Sequence, residues 1–70
     1  MAVVKVVSAA IMLRKGLLSI SEAEEMMDKA ITEECAPLLD EPEKWTEKYY
    51  QLKRWKWRKL LEVTRELMSK

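Results

Sequence analysis

From Glu43 to Lys70 the chain contains neither glycine nor proline, and no other feature restricts its fold so strongly. An uninterrupted helix of about 28 residues would be roughly 42 Å long at 1.5 Å per residue. That exceeds the width of a compact domain of this size, so part of the helix is expected to project or to pack on another copy. Its start is legible in Asp40-Glu41-Pro42-Glu43. Asp40 is placed to cap, Pro42 falls in the first turn where its missing N–H costs little, and Glu43 suits the positive end of the helix.

The other two breakers, Gly16 and Pro37, divide the preceding residues into two further helical segments. Over 2–15, Val3, Val4, Val6, Val7, Ala10, Ile11 and Leu13 cover most of a helix circumference, which predicts a largely buried element. The β-branched run Val3-Val4-Lys5-Val6-Val7 also fits a strand, but the chain offers no second strand to pair with it. Arg14 and Lys15 favour the negative end of this helix, and Gly16 reads as its left-handed cap. A second helix over 21–36 places Ala23, Met26, Met27, Ala30, Ile31 and Cys35 on one face. Ser21 with Glu24 makes a capping box for it, and Ser19 with Glu22 offers the same box one register earlier. Pro37 disfavours helical geometry at Ala36 and closes the element. The expected fold is therefore all-α: a small helical hairpin plus a long C-terminal helix over 41–69, in one domain.

Seventy residues form a marginal core, because a chain this short buries only about 60% of the surface its unfolded form exposes. Small folds are commonly reinforced by disulfides, a metal or a partner subunit. The single cysteine, Cys35, and the absence of histidine argue against the first two, leaving oligomerisation or a bound partner. Cys35 reads as a small buried hydrophobe in a reducing, intracellular (cytoplasmic) compartment. The apolar run Val6–Leu13 is too short to span a bilayer and lacks the order of a secretory signal.

The net charge of +1 conceals a segregation along the chain. Residues 1–18 carry three cations and no carboxylate, 19–43 carry nine carboxylates against Lys29, and 44–70 carry nine cations against Glu47, Glu62 and Glu66. Acidic and basic blocks of this kind can pair within the chain, pair between copies, or address different partners.

Two apolar stripes run along the long helix at 100° per residue. Trp45, Tyr49, Leu52, Leu60, Val63 and Leu67 form one; Tyr50, Trp57, Leu61 and Met68 form the other. Together they are wider than one antiparallel neighbour requires, so the helix is expected to meet both preceding helices, or one of them and another subunit. Trp55 lies outside both stripes. The first functional expectation is a non-catalytic assembly or interaction module that self-associates or binds another protein through Tyr49, Leu52, Trp55, Trp57, Leu60, Leu61, Val63 and Leu67.

The alternative rests on Lys53-Arg54-Trp55-Lys56-Trp57-Arg58-Lys59, five cations interleaved with two indoles. Lys53, Arg54, Lys56, Arg58 and Lys59 would neutralise nucleic-acid phosphates while Trp55 stacks on a base. The plainer reading makes Trp57 a core residue, covered by the stems of Lys53 and Lys56, with the charges facing the carboxylates of helix two. A membrane-surface helix fits the tryptophans but not the interleaved glutamates. Glu24, Glu25 and Asp28 lack the histidine partners of a helical metal site, and no base, nucleophile elbow or phosphate loop supports catalysis. No metal, cofactor or enzymatic activity is expected.

Overall fold

A computed structural model describes residues 2–69. They form helix α1 (Ala2–Arg14), helix α2 (Ile20–Cys35), a 3-10 turn (Ala36–Leu38) and helix α3 (Pro42–Met68). No strand occurs among the described residues, and the valine-rich start is helix.

Each junction follows from local chemistry. Gly16, at φ 78°, closes α1 in a Schellman arrangement: the Leu17 N–H donates to Met12 O at 2.9 Å and the Gly16 N–H to Leu13 O at 3.1 Å. The cap of α2 is Ser19, not Ser21. The Glu22 N–H donates to Ser19 Oγ at 3.1 Å, and the Ser19 N–H donates to Glu22 Oε1 at 3.0 Å. Starting the helix at Ile20 also brings Leu18 against the cluster that holds Ala23, a hydrophobic staple across the cap. Pro37 acts more gently than expected. Ala36 keeps helical angles (φ −53°, ψ −42°), and the chain tightens into the 3-10 turn, where Leu39 N–H donates to Ala36 O at 3.2 Å. At the start of α3 the N-cap position belongs to Glu41 rather than Asp40, with no side-chain cap bond, and Pro42 takes the first helical position.

Side-chain links between the helices define the topology. Lys5 meets Glu33 at 3.3 Å, so α1 and α2 are antiparallel. Arg14 Nε meets Glu66 Oε2 at 2.6 Å, so α3 runs parallel to α1. Lys53 reaches Asp28 while Lys56, further along α3, reaches both Asp28 and the earlier Glu24, so α3 runs antiparallel to α2. The molecule is a rod of 45 × 17 × 17 Å, and α3, about 40 Å long at 1.5 Å per residue, follows its long axis.

The core falls into two parts along that axis. Near the α1–α2 connection, Val6, Ala9, Ala10, Leu13, Ala23, Met27, Leu60 and Val63 pack together. Toward the other end, Ala2, Ala30, Ile31, Cys35 and Leu52 form a second cluster, flanked by Val3, Trp45 and Tyr49. Small residues on α1 and α2 let these helices approach closely, and α3 lies across both. As expected, most of α1 is buried or half-buried; Val4 and Ile11 are the apolar exceptions that face solvent, because two neighbours cover only part of the helix circumference.

Candidate functional site

The two stripes of α3 have different fates. Leu52, Leu60 and Val63 are buried in the chain's own core and take no part in the surface, whereas Tyr49 is half-buried against that core and also borders the open surface beside Tyr50 and Trp57. Leu67 belongs to the same stripe but sits near the end of α3, where it is partly exposed. Tyr49 stacks on Trp45, with ring centroids 4.7 Å apart and planes at 11°.

The second stripe is open. Tyr50, Trp57, Leu61 and Met68 are 66%, 52%, 56% and 82% exposed. Trp57 is therefore not the core residue of the plainer reading. With Arg54 and Thr64 these residues alternate at spacings of four and three, the period of a helix seam that receives another helix. Arg54, Arg58 and Arg65 line the same surface as Tyr50, Trp57 and Leu61. At 100° per residue they form a row along one side of the apolar ridge. Among the described residues none of the three arginines makes an ion pair.

The lysines of the basic segment are engaged internally. Lys56 was expected either to contact nucleic acid or to lie over Trp57 with its charge facing the carboxylates of helix two; it takes the second arrangement, but from a buried position, 1% exposed between Leu52 and Leu60 in the core. Its Nζ lies 2.7 Å from Asp28 Oδ1 and 3.3 Å from Glu24 Oε1, and 4.7 Å from the centroid of the Trp57 ring. A buried ammonium requires such compensation, and the alkyl stem meanwhile replaces an aliphatic side chain in the packing. Lys53 Nζ is 3.2 Å from the same Asp28 oxygen and 5.3 Å from the Tyr49 ring centroid. Lys59 pairs with Glu62 at 3.4 Å and lies 5.1 Å from the Trp55 ring centroid. Trp55 is partly exposed and sits off the ridge, beside Gln51, Arg54 and Arg58.

Partial burial raises the Asp28 carboxyl, but hydrogen bonds and charge from Lys56 and Lys53 outweigh it and hold the group below its ordinary value. Burial opposes the charge on Lys53, yet Asp28 and then Tyr49 bring it above the usual lysine value. Burial pushes the Cys35 thiol up, with Lys48 opposing and Glu34 assisting, the behaviour of an inert core thiol.

Of the residues expected at an interface, the fold leaves Trp57 and Leu61 together on an exposed face bordered by half-buried Tyr49, with Trp55 and Leu67 elsewhere. Of the five expected phosphate contacts, Arg54 and Arg58 alone are free of carboxylates. Sequence reasoning omitted Tyr50, Met68 and Arg65 from the candidate site, although the four-three spacing through Trp57 and Leu61 points to the first two. No helix among the described residues is long and apolar enough to cross a membrane. Compared with protein-family models, curated proteins and solved structures, the chain matches none.

Proposed function

We propose that this chain is a non-catalytic helical interaction module that docks another protein segment along the Tyr50–Trp57–Leu61–Met68 ridge of α3. The carrying observation is that ridge: four large side chains, each more than half exposed, in one line at the spacing that two helices share when they pack. Contiguous apolar surface of this kind is costly in water and marks interaction sites. Tryptophan, tyrosine and arginine, the residue types that dominate binding hot spots, are concentrated on it. The engagement of Lys53, Lys56 and Lys59 with carboxylates weighs against the nucleic-acid reading, since only part of the cationic segment remains to neutralise phosphates.

The adjacent residues Leu60 and Leu61 provide the test. Leu60 is 5% exposed in the core and Leu61 lies on the ridge. Leu60→Asp is expected to unfold the protein, since losing a buried leucine alone costs about 2–5 kcal/mol. Leu61→Asp and Trp57→Ala are expected to preserve helicity and melting temperature while losing the bound partner in co-purification. Unimpaired partner retention by both folded ridge variants would overturn the proposal, as would a 260 nm absorbance signature showing that the ligand lost is nucleic acid.

A further inference from the structure

The ridge is flanked asymmetrically, and the asymmetry selects among occupants. Around α3 the order, at 100° per residue, is Lys53, then Trp57, Tyr50 and Leu61, then Arg54, Arg65 and Arg58. On the Lys53 side lies α2, whose Asp28 and Glu24 already face Lys53 and Lys56. On the other side are the three arginines without ion pairs, with Glu62 at their outer edge already paired with Lys59. We infer that the ridge receives an amphipathic helix of a different protein, with apolar residues at alternating spacings of three and four and carboxylates along the flank that meets Arg54, Arg58 and Arg65. This rests on the docking surface proposed above and adds the chemistry of its occupant.

A second copy of the chain fits less well. Parallel pairing of two ridges sets Arg54 against Arg54. Antiparallel pairing about the midpoint between Trp57 and Leu61 matches Tyr50 with Met68, but lays arginine flank against arginine flank, with the two Arg58 side chains within a turn of each other and Arg65 beside the other copy's Arg54. Like charges opposed in this way disfavour association. A nucleic-acid strand carries charge along its whole backbone and would also meet the carboxylates of α2. A helix acidic on one flank avoids them. Arg54 and Arg58 are separated by about 6 Å along the helix axis, and Arg58 and Arg65 by about 10.5 Å. Matching carboxylates on the partner therefore lie one turn apart, with a third two turns further on. From Tyr50 to Met68 the ridge is about 27 Å long, so the occupant needs roughly five helical turns.

The probe is a labelled helical peptide of that length with leucine on its apolar stripe and glutamate on one flank, compared with a peptide bearing lysine on that flank. Binding to the full chain is followed by fluorescence anisotropy at low and moderate salt. The glutamate peptide is expected to bind at least tenfold more tightly than the lysine peptide, with the difference shrinking as salt rises. Arg54→Glu with Arg58→Glu should reverse the preference while leaving the circular dichroism spectrum unchanged. Equal affinity for the two peptides, preference for the lysine peptide, or binding of neither by folded protein would overturn the acidic partner. A dimer in light scattering that Leu61→Asp converts to monomer would also overturn it, but would leave the ridge as a docking surface. Partner retention unaffected by Trp57→Ala and Leu61→Asp, or a ligand that proves to be nucleic acid, removes both inferences.

Discussion

Lys56 is held by two carboxylates of unequal importance. Asp28 is the closer partner, at 2.7 Å, and also serves Lys53. Glu24 is at 3.3 Å. Asp28→Asn removes charge from both lysines, leaves the buried ammonium with Glu24 alone, and is expected to cost about 1–3 kcal/mol in chemical denaturation. Lys56→Met preserves the volume of the stem and removes the buried charge. It is expected to be neutral or stabilising, since apolar replacements of buried ionic groups often are. The folded-state pKa of Asp28 is depressed, so its contribution is fully present above the unfolded carboxyl value and is lost as pH falls through the folded one. Stability of the wild type should therefore decline from about pH 4 downward, and Lys56→Met should flatten that decline. An acid limb equally steep in both would show that Asp28 does not supply it. The sequence suggested that Lys56 would face the carboxylates of helix two, but not that it would be buried or which carboxylates it would meet, because its partners lie 28 and 32 residues away, on an element whose rotation is fixed only by packing.

Among the elements, the start of α2 separates two local signals that look alike. Ser19→Ala removes an observed cap bond and is expected to lower stability by about 1 kcal/mol, whereas Ser21→Ala, at an exposed position inside the helix, should change little. Thermal melts of the two variants check this directly. The three helices and their breakpoints were readable because Gly16, Pro37 and Pro42 punctuate a chain otherwise rich in helix-forming periodicity. The choice between Ser19 and Ser21 was not readable, since it depends on the loop leaving the Schellman turn and on Leu18 reaching the core. The two stripes of α3 were also visible, but not which would face inward. A lysine interrupts the buried stripe at its centre, while the open stripe carries tryptophan, leucine and methionine, so residue apolarity alone ranks them poorly. Packing by α1 and α2 settles the matter.

At the scale of the whole molecule, a small two-part core and an exposed ridge belong to one energetic situation. A 70-residue chain has little apolar burial to spare, and the ridge leaves further apolar area unburied. Binding there should be coupled to folding stability: an occupant at one hundred times its dissociation constant adds about 2.7 kcal/mol if it does not bind the unfolded chain. The melting temperature should rise progressively with the glutamate peptide and remain unchanged for Leu61→Asp at the same concentrations. Equal upward shifts in both proteins would place the binding elsewhere.

The position of Lys56 between the two core clusters has a consequence for axial alignment. If α3 slid along the hairpin by one turn, about 5.4 Å, its lysine would enter space lined by aliphatic side chains, and a leucine would be brought to Asp28 and Glu24. Apolar side chains alone tolerate such slippage, because one leucine replaces another at nearly equal energy. The charged residue makes the shifted arrangements unequal and acts as a key in a slot. The azimuth and height at which the arginine row is presented to a partner are thereby indexed to a single side chain that no partner would ever touch.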